Sequence, residues 1–215
     1  MNILKPAFLY LFFGVVLLTA CGAEQETKQS KKEELAALKE TKITDSTIFE
    51  NAIDAFGKQP GAVGVFDVPE MLVLSILDSA SKEKLADLLI KNYALLEQDV
   101  KETGAEMNGH LGIISYTNNP ANFVFEAVLC IKRMPVKQPA HAKVVVLEAS
   151  KMLVFNFYGP YQNLFAAYDK IRKYCDKNDL IQSGPIREFY ITDPGKEPDP
   201  EKWLTRLFLP VISMR

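Results

Sequence analysis

Histidine is nearly missing from this chain: there are two, His110 and His141, in 215 residues. Neither has metal-ligand spacing to another donor, so the sequence offers no zinc or haem motif and calls for no cofactor. A Gly-x-Ser-x-Gly elbow is absent, and Ser150 and Ser183 have no base that the sequence assigns to them. Positive charge is not in excess either. Lysine and arginine number 25 against 27 acids, a net charge of −2. Neutralising phosphates needs a basic surface, so nucleic acid is not an expected partner.

One long apolar run is present, at the N-terminus. Ala7 to Leu18, AFLYLFFGVVLL, follows Lys5. Its length suits the h-region of a secretory signal and is short for a membrane-spanning helix. It ends in LTAC, Leu18 to Cys21, which resembles a bacterial lipobox. In that pattern the chain is cut before the cysteine, whose thiol receives a lipid. The expectation is a signal peptide over residues 1–20, lipidation at Cys21 and a tether over residues 21–45. The tether is polar and mixed in charge, and cannot bury enough apolar surface to order itself. The protein would then be held by its lipid in the bacterial cell envelope. Gly22 resembles a signal for the outer membrane rather than the inner one. The alternative is an ordinary signal peptide in which Cys21 is incidental. An exported compartment permits a disulfide between Cys130 and Cys175. Both lie in apolar settings, which favours two buried free thiols.

Residues 46–215 read as one α+β domain built on a repeat. MLVLSI from Met71 and MLVFNF from Met152 stand as far apart as Tyr93 and Tyr174. Each follows a β-branched run and precedes a helix with one apolar stripe. Leu85, Leu88, Leu89, Leu96 and Val100 form the first stripe, with Ser81 as N-cap and Gly104 as stop. Tyr161, Leu164, Phe165, Tyr168, Ile171 and Cys175 form the second, with Pro160 at the first helical position. Two strands then complete each half, joined by turns at TNNP and TDPGKEPDP. The expected architecture is a duplicated strand-helix-strand-strand module, over about 60–134 and 142–215. It has pseudo-two-fold symmetry, antiparallel sheets and one long helix per module. RMPVKQPAH, Arg133 to His141, is the joint between the halves.

GPIREFYITDP, Gly184 to Pro194, carries a glutamate among apolar and aromatic residues. Strand alternation puts Ile186, Glu188 and Tyr190 on one face and Arg187, Phe189 and Ile191 on the other. Glutamate is seldom buried without a partner. Glu188 is therefore either in a salt bridge with Arg187 or Arg206, or it is a tool. The aromatic set nearby favours the tool. Phe157, Tyr158, Tyr190 and Trp203 offer flat faces that, with a carboxylate, suit a lipophilic cation. Glu126, in the matching strand of the first half, is the other carboxylate to consider, with a solvated or bridged role the simpler reading.

MLVFNFYGPYQNLFAAYDKIRKYCDKNDL, followed by GPIREFYITDP and EKWLTRLFLPV, is similar to the GyrI-like domain, also called the effector-binding domain of AraC-type and multidrug-sensing regulators. The resemblance is best over Val144 to Val211 and extends loosely to Ala62. It rests on Gly159–Pro160–Tyr161, on Glu188 with Tyr190, on Asp193–Pro194 and on Leu209–Pro210–Val211. It implies a ligand cleft between the two modules, with Glu188 at the floor and aromatics around it. Members bind amphipathic cations and other bulky molecules. Some are hydrolases of reactive natural products, using the glutamate and a tyrosine, here Glu188 and Tyr190. The basic or histidine residue common before Gly-Pro-Tyr is replaced here by Phe157 and Tyr158. The usual DNA-binding domain is not found, and a lipid-anchored chain is not expected to regulate transcription itself.

Four functional expectations result. The first is an envelope lipoprotein that binds a small amphipathic molecule, cations above all, at Glu188, Tyr190, Tyr158, Phe157 and Trp203. The alternative is a hydrolase of electrophilic molecules that uses Glu188 and Tyr190. A haem site, on analogy with the SOUL family that shares this fold, would need His110 or His141 as iron ligand. A scaffold role in an envelope complex is also open, and the oligomeric state is not encoded in any motif.

Overall fold

The computed structural model describes residues 47–117, 119 and 121–214. The leader, Cys21 and the tether lie outside the described residues. Within those described, the first half holds β1 (Val63–Val68), β2 (Met71–Ala80), α1 (Leu85–Thr103), β3 (Met107–Ser115) and β4 (Phe123–Ile131). The second holds β5 (Lys143–Leu147), β6 (Ser150–Tyr158), α2 (Leu164–Lys177), β7 (Leu180–Gln182), β8 (Ile186–Tyr190) and β9 (Leu204–Ser213). The fold is α+β with antiparallel strand pairs. Only the short β7 was not expected, because three residues are too few for a periodic signal.

The halves do not form separate sheets. One sheet runs β1-β6-β9-β8-β3-β4-β2-β5, with β7 on β9. The first strand of each half lies in the sheet of the other: β1 pairs with β6, and β5 pairs with β2. This order imposes a shape. β1 and β2 are six strand spacings apart, about 29 Å across a flat sheet. Only Pro69 and Glu70 join them, a link that reaches at most about 11 Å. Glu148 and Ala149 make an equally short link from β5 to β6. The sheet therefore curls until its two ends meet.

The inside of the curl is one apolar cluster drawn from all the long strands. It includes Val68, Met71, Val73, Ile114, Val128, Cys130, Leu147, Met152, Val154, Phe189 and Phe208. The segment before β1 packs into it through Ala52, Ile53 and Phe56. Arg206, fully buried, pins that segment. Its guanidinium donates to the carbonyls of Ile53 and Gly57 and to Asn156 Oδ1, and lies over the Phe56 ring. Sequence reading placed no element before residue 60, since these residues have neither period.

The helices cover the outside. α1 lies over β2 and β4, and α2 over β6. Ala167, Ile171 and Cys175 of α2 meet Leu153, Phe155, Leu207, Leu209 and Val211. The ends of the helices differ from expectation. The Ser81 carbonyl accepts from Lys84 N in a turn, and α1 starts at Leu85 without a side-chain cap. Pro160 precedes a 3-10 turn over Tyr161–Asn163, and α2 starts at Leu164. The buried face of α2 is centred on Ala167, Ile171 and Cys175, which leaves Phe165, about 120° round the helix from Ile171, 75% exposed. Gly104 does end α1, with φ 68°. Cys130 and Cys175 are free and buried, one inside the curl and the other under α2.

The joint is fastened by Asp99 on α1, which is fully buried. Its carboxylate accepts from the amides of Ala140, His141 and Ala142 and from His141 Nδ1 at 3.0 Å. These bonds hold its pKa below the usual carboxylate range despite the burial. The described residues include no helix long and apolar enough to cross a membrane.

At Gly112, on β3, an added Cβ would sit 2.5 Å from the Glu188 carbonyl oxygen and 2.6 Å from the Phe189 ring. Gly112→Ala is expected to lower stability by about 1–3 kcal/mol through this overpacking, read as a fall in the denaturation midpoint.

Candidate functional site

β8 and β3 are the central strands of the order, flanked on the outer face by the two helices. Glu188 pairs with Ile113 on β3 and Leu207 on β9. Directly paired residues share a sheet face, so Glu188, Ile113 and Leu207 all face outward. Arg187 and Phe189 face inward, and so does Arg206, which pairs with Phe189. The salt bridge expected as the alternative is thus ruled out by alternation: both arginines lie on the far side of the sheet.

The partner of Glu188 is a tyrosine from the helix above. Tyr168 on α2 donates its hydroxyl to Glu188 Oε1. Glu188 is only 5% exposed. Burial pushes its pKa up from 4.5 to about 7, against the opposing pull of the Tyr168 hydrogen bond. Burial and the neighbouring Glu188 also raise the pKa values of Tyr93, Tyr168 and Tyr190, so all three stay neutral donors.

Tyr190, two residues on, shares the outward face. Its ring lies 5.1 Å from Tyr161 and 6.4 Å from Tyr93 of α1, both edge-on. Tyr161 in turn lies 5.0 Å from Trp203. Trp203 Nε1 donates to the Glu197 carbonyl at 2.8 Å, and Tyr93 donates to the Gly112 carbonyl at 3.1 Å. One continuous set of rings therefore runs from α1 across β8 to the start of β9. Phe157 joins this face, two strands from Tyr190 through Thr205. Thr205 Oγ1 and Ser115 Oγ are buried there without a hydrogen-bond partner among the described residues.

Of the five residues singled out, Glu188, Tyr190, Phe157 and Trp203 share this outer face or its rim. Tyr158 does not. It follows Phe157 on β6 and points to the other face, where its hydroxyl donates to the Lys58 carbonyl at 2.7 Å. Tyr93 and Tyr168 were missed as site residues. Each occupies a position in an apolar helix stripe, and the hydroxyl on that stripe was the available signal. Glu126 also lies on the inner face, where it accepts from Ser75 Oγ and Tyr116. His110 and His141 are both held by aspartates: His110 Nε2 lies 2.9 Å from Asp54, and His141 lies on Asp99. No described group of histidine, cysteine or acidic residues is placed to hold a metal ion.

Comparison with known proteins identifies the family. The GyrI-like small molecule binding domain matches residues 67–212, and the chain belongs to that family. No curated protein matches it. Among solved structures, the C-terminal domain of EcmrR is similar at a TM-score of 0.64 and 17% identity, covering 72% of this chain and 99% of that one. A hydrolase from Listeria innocua has a TM-score of 0.53 at 16% identity, covering 74% and 96%. SAV2435 bound to tetraphenylphosphonium has a TM-score of 0.51 at 15% identity, covering 70% and 94%. At such identities these likenesses are likenesses of fold.

Glu188 makes stability depend on pH. Its folded pKa lies above its unfolded value, so the folded state binds the extra proton. Its contribution is complete below pH 4.5 and is lost as pH rises through about 7. Glu188→Gln is expected to be more stable than the parent at pH 8, by on the order of 3 kcal/mol, and equal to it at pH 4. Unfolding in urea at both pH values measures the difference.

Proposed function

We propose that this chain captures a small amphipathic cation at Glu188, on the outer face between the two helices. The observation that carries the reading is a buried carboxyl poised near neutrality and ringed by tyrosines and a tryptophan. A lipophilic cation replaces the Tyr168 hydroxyl as the partner of Glu188 and draws the carboxyl into its ionised form. Ring faces cover the apolar body of the ligand. The unpartnered Thr205 and Ser115 hydroxyls offer hydrogen bonds to a polar group on it. SAV2435, which binds tetraphenylphosphonium, supplies a precedent on a similar fold.

The duplicated-module reading is supported by the exchange of β1 and β5 between halves. It places the ligand near the pseudo-two-fold axis, where β3 meets β8. The signal segment and LTAC support lipid attachment at Cys21, with the binding domain held at the envelope surface by the tether. Two lipid chains would make that attachment lasting.

A second reading has one observation in its favour. A glutamate with a pKa of about 7 is matched to acid-base work at neutral pH. Glu188 would then hold or donate the proton while Tyr190 orients the substrate. Binding and hydrolysis separate in Glu188→Gln: an enzyme loses turnover of an electrophilic ester while retaining its binding.

The test of the main reading is a titration of residues 46–215 with tetraphenylphosphonium, followed by Trp203 fluorescence. Affinity at pH 5.5 is expected to be about thirtyfold weaker than at pH 8, because ionised Glu188 falls by that factor. Glu188→Gln should bind weakly at both pH values. Equal affinity of mutant and parent at pH 8 would remove the cationic ligand from consideration.

A further inference from the structure

β8 carries a second charged side chain, and it faces the other way. Arg187 points into the curl, between its register partners Ile114 on β3 and Phe208 on β9. Both partners are buried apolar residues. Its Nε and Nη1 are buried and have no hydrogen-bond acceptor among the described residues. Glu126 stands in the same cross-strand row, beyond Ile114, but its carboxylate is engaged elsewhere. Ser75 Oγ donates to Oε2 at 2.5 Å and Tyr116 donates to Oε1 at 2.8 Å.

The groups that act electrostatically on Arg187 are the Tyr116 hydroxyl and the Cys130 thiol. Burial leads the effects that push both up to about 12, so both are neutral at pH 7. Among the described residues no carboxylate stands in ion-pair contact with the guanidinium to offset its desolvation. Buried cations in proteins are paired, because an unpaired one is far costlier than an unpaired neutral group. Tyr116, whose hydroxyl acts on Arg187, is 48% exposed, and Arg187 itself is half-buried. The guanidinium therefore lies close to a partly exposed aromatic side chain, on the opposite side of the sheet from Glu188.

We propose that Arg187 anchors a second ligand site, which takes the carboxylate of a small molecule with an apolar body. The guanidinium donates charge-assisted hydrogen bonds to the carboxylate. Ile114 and Phe208 wall the anchor, and the half-exposed Tyr116 ring covers the hydrocarbon. The Glu126 charge, already held by two hydroxyls and separated by the β3 strand, does not compete for Arg187. Because neighbouring residues on a strand face opposite ways, the protein presents sites of opposite charge preference on the two sides of β8.

The test is calorimetric titration of the full-length chain with hexanoate, hexanol, hexylammonium and inorganic phosphate. Hexanoate is expected to saturate, with hexanol and hexylammonium at least tenfold weaker. Arg187→Gln should lose hexanoate while Glu188→Gln keeps it, which separates this site from the cation site. Arg187→Met, which removes the charge with little change in bulk, gives the same reading if the glutamine variant fails to fold. Hexanoate binding that is unchanged in either arginine variant, or absent from the parent, overturns the proposal. Arg187-dependent binding of phosphate that exceeds that of hexanoate overturns the carboxylate assignment.

Discussion

Two links of two residues each, Pro69–Glu70 and Glu148–Ala149, constrain everything else in this domain. Each joins strands that lie six positions apart in the sheet order. A flat sheet cannot satisfy them, so the sheet closes on itself and acquires an inside and an outside. The inside is small and filled by one apolar cluster together with the segment before β1. The outside has room for two helices, whose backbones lie over β2, β4 and β6 while Tyr93 and Tyr168 reach across to the centre. The centre, where β8 meets β3, is covered by tyrosine side chains that reach in from both helices, and it is the seat of Glu188.

The curl also explains how one five-residue strand can carry two opposite charges at small separation. Arg187 and Glu188 are adjacent in sequence but divided by the thickness of the sheet. Neither neutralises the other, and each keeps the desolvation cost of its own surroundings. For Glu188 the cost appears as a carboxyl that holds its proton to near pH 7. For Arg187 it appears as two buried donors without an acceptor among the described residues. Natural domains normally satisfy such donors, and those of Arg187 fall on the strand at the middle of the sheet. By contrast, the other buried charges are fully provided for. Asp99 collects three amides and an imidazole, and Arg206 collects carbonyls, an amide oxygen and a ring face. Those two fasten the joint and the leading segment, so their bonds have a structural role.

Much of this was legible along the chain because strands and helices write their periods locally. The long strands, both helices, the α+β class and the outward set Ile186–Glu188–Tyr190 follow from spacing alone. The resemblance in Gly159–Tyr161, Glu188–Tyr190 and Leu209–Val211 pointed to the right family. What failed were statements about partners. Tyr158 sits beside Phe157 in sequence and on the wrong face in space. Phe165 fits the edge of the expected stripe, but the buried face of α2 is centred on Ala167, Ile171 and Cys175 and leaves it outside. Arg206 is close to Glu188 on the adjacent strand, yet alternation separates them.

The sequence by itself determined which segments extend and which coil, which residues of β8 share a face, and that a glutamate would stand among aromatics. It did so because those properties depend on residues within one or two turns of each other. Only the tertiary structure decided that β1 would pair with β6 and β5 with β2, that Tyr168 rather than an arginine would meet Glu188, and that two nitrogens of Arg187 would find no acceptor among the described residues. Those outcomes depend on the sheet closing over distances that no local period records.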